Sequence, residues 1–498
     1  MHPNTPEQRR RHVKECLLPD IDFRPFVRGQ FVETENAGEL PIRDAFQDVS
    51  FATMPIASSA TVSLAVSGAR EAFDNGPWRT MHARARAKYL YHIADLIEQR
   101  ADRFALLESI NVGRPLSGVK AWDVPNASEV FRYYAGWADK IAGKSLPDVA
   151  DVRINTYLEP IGVCALIMPW NFPFADLAWK VAPALAAGCT VIVKSAERAP
   201  LSIQAFAKVV QDAQLPDGVF NLVAGTGAIT GDALVGDRRL DKISFTGSTA
   251  TAKRILERSA SHLPRLNFEL GGKSPNLILD DADLTAAADA AMGAMFSVAG
   301  QDCGAGSRLL VDESVADQFV QLLLTRIAAR IVGDPLDLST QQGPQIDGAQ
   351  VARIERYVAN ALAEGAELLA GGSVLVARGK HCYAPTLLRS PGIGSEIWRE
   401  EVFGPVAVLH TFKGFEAGLT LANATEYGLA GGIWTRSTIK AERFVRELRA
   451  GTAWVNCYGW FDTCSPWGGR RASGYGSELG REGLDAFLVT KSVFRKGY

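Results

Sequence analysis

Cysteine is sparse in this 498-residue chain, with seven thiols at Cys16, Cys164, Cys189, Cys303, Cys382, Cys457 and Cys464 and no C-x-x-C pair among them. That spacing excludes a zinc cage and a disulfide framework; no metal is expected, and a reducing cytoplasm suits the single thiols. Net charge is nearly absent as well: 53 basic against 55 acidic side chains leave -2, so no long-range field favours nucleic acid or an anionic membrane. No uncharged apolar run reaches the roughly 18 to 20 residues of a membrane helix, since Gly188 and Thr190 interrupt the nearest approach, Val181 to Val193. The basic start MHPNTPEQRRRHVKE has no apolar segment behind it, so export is not expected. Repeats, low-complexity tracts and long Pro/Ser linkers are missing too. What remains is a globular balance of 47% apolar and 22% charged residues, enough for two or three large cores and a small-molecule partner.

From Tyr157 onward short β-branched runs alternate with helical stretches: VCALIMP, an Ala-rich helix, TVIVKS, a helix, FNLVAG, a helix, then KISFTGS and another helix. This rhythm predicts a parallel sheet covered on both faces, an α/β fold. Apolar residues at three- and four-residue spacing predict covering helices over about Thr61 to Phe73 and Ala83 to Val112. A second α/β region starts near Pro275 with NLILDDADL, which puts a boundary near Gly271-Gly272. The last stretch, AFLVTKSVFRKGY, reads as a terminal strand whose open edge would invite another subunit.

Three segments carry chemistry. Cys303 sits among small residues in FSVAGQDCGAGSR, where glycines permit tight turns and close approach of a substrate, as a nucleophile needs; an inert buried thiol is the alternative. Glu269, in FELGGKSPN, precedes two glycines and suits a general base acting through water, or else a solvated surface carboxylate. Asn171, in PWNFP, follows the strand VCALIM at the end where α/β sheets keep their sites; its amide suits an oxyanion donor or merely caps a Pro-bounded turn.

Together and in this order, these motifs resemble the aldehyde dehydrogenase superfamily over nearly the whole chain. The matches are F-x-x-x-G-Q-x-C at Phe296, Gly300, Gln301 and Cys303, ELGGKS at Glu269 to Ser274 and PWNFP at Pro169 to Pro173, joined by FTGST, EEVFGPV, SPWGG and SGYGSELG. The resemblance implies two doubly wound α/β domains, a Rossmann-like NAD-binding domain over 1–140 and 159–270 and a catalytic domain over 271–475. A small β element over 141–158 and 476–498 would make a homo-oligomer, a dimer or tetramer. It implies thiolate attack by Cys303 on an aldehyde, oxidation to a thioester, and hydrolysis by water activated by Glu269, with the Asn171 amide and the Cys303 N–H on the oxyanion. A free thiol titrates near pH ~8.5, so dipoles or a base should depress Cys303.

For the cofactor the resemblance implies Trp170, with Lys194 and Glu197 on the adenosine ribose, Glu197 favouring NAD over NADP. Gly247 and Ser248 would open a helix toward the pyrophosphate, and Glu401 and Phe403 would face the nicotinamide ribose and ring. Ala252 stands where many relatives carry a second glycine. Two further glycine runs, Gly225 to Gly231 and Gly474 to Gly480, each have one residue too many for G-x-G-x-x-G and do not count as phosphate loops. The substrate tunnel implied is an aromatic box of Phe172, Trp179, Phe296, Phe461 and Trp467, with Trp460 at its mouth and Asp123, Asp176 and Asp302 nearby. Such walls suit a cationic aminoaldehyde, or with the carboxylates discounted a broad range of aliphatic and aromatic aldehydes. An acylating relative that passes the thioester to coenzyme A would need Cys303 but not Glu269.

Overall fold

The computed structural model describes residues 4–497; Met1 to Pro3 and Tyr498, the last residue of the predicted terminal strand, lie outside them. Five fully parallel strands form the heart of the first sheet: β1 (Val163–Ile167), β2 (Thr190–Lys194), β3 (Phe220–Val223), β4 (Lys242–Thr246) and β5 (Arg265–Glu269). Their spatial order is β5-β4-β1-β2-β3. Gly474–Tyr475 pairs antiparallel with β5 at one edge, and Phe26–Val27 and Gln30–Phe31 extend the other, giving eight strands. The continuous apolar strands VCALI and TVIVK are buried throughout because helices cover both faces.

The predicted covering helices are present. One is α1 (Ser59–Asp74), capped by the Ser58 hydroxyl and packed on β2 and β3. The long periodic segment is two helices, α2 (Ala83–Gln99) and α3 (Ala101–Val112). Arg100 leaves helical dihedrals between them and pairs its guanidinium with Asp212. Periodicity alone did not reveal that break, since each half buries its own apolar face.

The second sheet has seven strands, with β6 (Pro275–Ile278), β7 (Arg308–Asp312), β8 (Thr386–Arg389), β9 (Val406–Phe412), β10 (Ala430–Trp434) and β11 (Thr452–Val455) parallel, in the order β8-β9-β7-β6-β10-β11, and Glu367–Ala370 antiparallel on β8. A hairpin, Ser145–Val149 and Val152–Pro160, adds the terminal strand Leu488–Lys496 along its full length. This three-stranded sheet presents Val149, Tyr157 and Phe494 to solvent. Among the described residues no helix is long and apolar enough to cross a membrane.

Candidate active site

In the first sheet the chain runs from β1 outward through β2 and β3, then returns to β4 on the other side of β1. The crevice at the carboxyl ends of β1 and β4 is therefore the topological switch point, where an open α/β sheet leaves room for a ligand. Asn171 follows β1, Lys194 ends β2, Gly247 and Ser248 follow β4, and Glu269 ends β5. All five line one cavity of about 1120 Å³, and Cys303 reaches the same cavity from the second sheet's side. It slightly exceeds the ~1,000 Å³ of the largest ordinary ligand pockets, enough for two ligands end to end.

The Cys303 loop is held in a costly shape. Helix α4 (Pro173–Ala187) and helix α5 (Thr249–Ser259) flank the crevice, and α6 (Leu284–Phe296) delivers the loop. Directly after α6, Val298, Ala299 and Gly300 all adopt left-handed φ values of 49°, 55° and 74°. The two non-glycine residues cost about 1–3 kcal/mol each, which only over-determined surroundings can hold. Those surroundings are visible: Gln345 Nε2 donates to the Ala299 carbonyl at 3.0 Å, and Gln301 spans Val298 O and the Ile346 N–H at 2.9 Å each. Gly300 packs so closely on the Gly404 carbonyl that a Cβ would sit 2.0 Å from it. The Asn171 amide donates to the Gln301 carbonyl at 2.9 Å, tying the end of β1 to the nucleophile loop and leaving its second N–H over. The Cys303 N–H makes no hydrogen bond among the described residues.

Two glycines explain themselves by close approach. A Cβ on Gly271 would meet the Glu401 carboxylate at 2.1 Å, and one on Gly272 the Cys303 carbonyl at 2.5 Å. Glu401 in turn accepts the Gly272 N–H at 3.1 Å, so the FELGGKS and EEVFGPV motifs meet at the cysteine backbone.

Electrostatically the cavity is mixed: Asp176, Glu269, Asp302 and Glu401 act on Cys303, while Arg114, Lys194, Arg198, Arg254, Arg258 and Arg353 also line the wall. Glu269 is buried with both oxygens unpartnered, and burial first, then Glu478, holds its carboxyl well above the usual range. The ammonium of Lys180, on α4, binds Thr246 Oγ1 at 2.7 Å and the Glu478 carboxylate. Burial also lifts Asp176 to about 8 and Glu401 to about 7. The Cys303 thiol is pushed up, by burial first and then by Asp302, Asp176, Glu401 and Glu269. The expected local depression of that thiol is not built into the chain's own charges.

Around the sulfur, Phe172, Trp179, Phe461 and Trp467 line the cavity together with Asp176 and Asp302. Trp122 joins them, its ring 5.7 Å from Phe172, 6.4 Å from Trp179 and 6.1 Å from Phe461. Trp460, expected at the mouth, is three-quarters exposed, between the lining residues Gly459 and Phe461. Two expectations are corrected. Phe296 does not line the tunnel: as the last residue of α6 it continues that helix's apolar face into the core of the second sheet, and Ser297, past the helix end, lines the cavity instead. Asp123 does not line it either. It ends a wide π-helical turn, Val119–Asp123, that points it inward, where it is fully buried and ion-paired with Arg114 at 2.7 Å; Arg114 is the member of the pair on the cavity wall.

Trp170, Lys194, Glu197, Gly247, Ser248, Glu401 and Phe403 line the same cavity. Trp170 and Phe403 meet edge to face, 5.2 Å apart. Ser248 caps Thr251 at the start of α5, and the N–H groups of Thr249 and Ala250 stay free there, so this rim fits a dinucleotide pyrophosphate. Ala252 faces the apolar core behind the helix and is not on the cavity wall. The run Gly225 to Gly231, discounted as a phosphate loop, does contribute: Thr226, Gly227 and Gly231 line the cavity, and the Gly227 N–H donates to Glu197 at 3.0 Å. Its position directly after β3 was the available signal. Lys180, Trp122 and Arg114 had no distinguishing spacing, and Glu478, though inside the SGYGSELG match, was given no role there.

Comparison with known proteins gives one answer throughout. The model of the aldehyde dehydrogenase family matches residues 31–493. The chain is 41% identical over 97% of its length, and 91% of the other's, to a mitochondrial benzaldehyde dehydrogenase of Antirrhinum majus. It is 39% identical to betaine aldehyde dehydrogenase of Bacillus subtilis over 94% of this chain and 96% of that one. Among solved structures, betaine aldehyde dehydrogenase of Staphylococcus aureus in complex with NAD+ superposes with a TM-score of 0.95 at 35% identity, covering 98% of this chain and 97% of that one.

Proposed function

Since the chain belongs to the aldehyde dehydrogenase family, we propose that it is an NAD-dependent enzyme that oxidises an aldehyde to a carboxylic acid on Cys303. The observation that carries this reading is the convergence of Cys303, Glu269 and Asn171 on one cavity. Cys303 Sγ adds to the aldehyde carbon, and the oxyanion that forms is met by the spare Asn171 N–H and the Cys303 N–H. When bound, NAD supplies the hydride acceptor. Glu269, once ionised, takes a proton from the water that cleaves the thioester, and its lack of fixed partners leaves it free to turn toward that water. Lys180 and Glu478 keep an ammonium and a carboxylate beside the base, a local route for the released proton.

Trp170, Lys194, Glu197, Gly247, Ser248, Glu401 and Phe403 would hold the cofactor, with Glu197 accepting the ribose hydroxyls and repelling a 2′-phosphate. A buried Glu269 argues against the acylating alternative, which has no use for a base. The exposed three-stranded sheet supports a homo-oligomer, and seven free thiols suit a reducing, cytoplasmic setting. The first α/β sheet is assigned to cofactor binding and the second to delivery of the nucleophile. The test is an aldehyde panel assayed by NADH absorbance with NAD and NADP separately, on the native chain and on Cys303→Ala. Activity with NAD and its loss in the variant are expected; full dehydrogenase activity without the thiol would refute the assignment.

A further inference from the structure

The cavity has one wall built on the first sheet and another built on the second, and an ion pair joins them. Arg198 follows Glu197 in the loop after β2, where its carbonyl accepts the Asn111 side-chain amide of α3 at 3.4 Å. Its Nε stands 3.2 Å from Oδ2 of Asp347 on the opposite wall. Asp347 is the N-cap of α7 (Gly348–Ala363), and its other oxygen, Oδ1, accepts the Gln350 N–H at 2.9 Å. Val351, Ile354 and Val358 of α7 are buried in the core of the second sheet, so the carboxylate moves with that side.

The pair closes a circuit of contacts. The Arg198 guanidinium lies 5.8 Å from the centroid of the Trp170 ring, which meets Phe403 edge to face. The Phe403 carbonyl accepts Gln350 Nε2 at 2.6 Å, and the Gln350 backbone leads back to Asp347. Trp170, Arg198, Gln350 and Phe403 all line the cavity. The circuit therefore crosses between the walls twice, once through two aromatic rings and once through two charges. Phe403 is assigned to the nicotinamide, and Glu197, next to Arg198, to the adenosine ribose, so the crossings belong to opposite ends of the dinucleotide site. We propose that Arg198 and Asp347 form a latch across the cofactor groove, holding its two walls together and slowing the exit of the reduced cofactor. This deepens the NAD reading and rests on it; both residues act by positioning. The side chains are 38% and 28% exposed, so the pair is open to salt and its effect is modest, about two- to fivefold on a rate.

The test is the rate at which bound NADH leaves, followed by its fluorescence in a stopped-flow chase with excess NAD and no aldehyde present. Asp347→Asn keeps the helix cap and removes the charge; Arg198→Gln removes the other partner. Each should speed NADH release by about two- to fivefold, and the double variant should be no faster than the faster single one, because the two changes break the same contact. Raising sodium chloride should accelerate release from the native chain more than from either variant, since only the native pair is there to be screened. The sign for Asp347→Asn separates a latch from simple attraction of the anionic cofactor. Removing a carboxylate from the groove would slow release if direct charge attraction were at work, whereas unlatching speeds it. Release from Asp347→Asn at or below the native rate, or effects of the two substitutions that multiply in the double variant, overturns the latch and leaves the NAD reading standing. A native chain that binds no NADH saturably overturns both.

Discussion

Gly272→Ala is the sharpest single test of how the site is assembled, because its effect follows from one distance. Gly272 does not need a left-handed backbone, so alanine brings no dihedral strain there. Its Cβ, however, would stand 2.5 Å from the carbonyl oxygen of Cys303, with Leu429 Cβ and Ser274 Oγ at 3.3 Å blocking retreat. Relief to the closest tolerated contact of about 3.0 Å requires roughly 0.5 Å of movement, and ordinary contact requires roughly 0.9 Å. The obstructing atom is backbone, so the nucleophile itself must shift. Misplacement of reacting groups by ~1 Å costs about 100-fold, so kcat/KM should fall by about 10- to 100-fold. Overpacking should also cost about 1–3 kcal/mol of stability, visible as a lower melting temperature with the cooperative transition retained. The assay is steady-state NADH formation at saturating NAD, normalised to folded protein by circular dichroism. Gly293→Ala is the control, since a Cβ on that exposed helical glycine meets nothing within 4 Å. A folded Gly272→Ala enzyme with kcat/KM within twofold of the native value would refute the claim that the ELGGKS segment sets the position of the sulfur.

Two further outcomes follow from the base. Glu269→Gln should release one equivalent of NADH per active site in a burst and then stall, because thioester formation needs Cys303 and Asn171 while hydrolysis needs the carboxylate; steady turnover at the native rate would contradict that division. Because burial and the Glu478 charge hold the Glu269 carboxyl up, the base ionises late and kcat should climb as pH rises above the usual carboxylate range. Glu478→Gln removes the like charge and frees the Lys180 ammonium, both of which favour ionised Glu269. The acidic limb of the kcat profile should therefore move to lower pH, and a limb that stays or moves upward would show that another group sets it.

Much of the fold was legible because its strands are short, continuous and β-branched, and because β1 to β5 alternate with helices in the order the sheet requires. The parallel α/β architecture and the terminal strand follow from such local signals, whereas the hairpin that pairs with that strand came only from the family resemblance. The split at Arg100 did not, since a break held by a side-chain ion pair with Asp212 leaves no mark in the apolar spacing. Phe296 and Asp123 were misplaced for a related reason. Motif position says which segment reaches the site but not which way each side chain turns, and here one residue separates Phe296 in the core from Ser297 on the wall.

Residue types and their order by themselves determined the chemistry available: one thiol among glycines, a carboxylate before a glycine pair, an amide after a buried strand. Only the tertiary structure decided which charges are free to act. Arg114 and Lys180, unremarkable in the chain, pair with Asp123 and Glu478 across 9 and 298 positions, and leave Glu269 a buried carboxyl with neither oxygen hydrogen-bonded. The physical reason is that burial removes the water that would otherwise equalise all these groups, so each charge is defined by the one counter-ion that folding brings within reach.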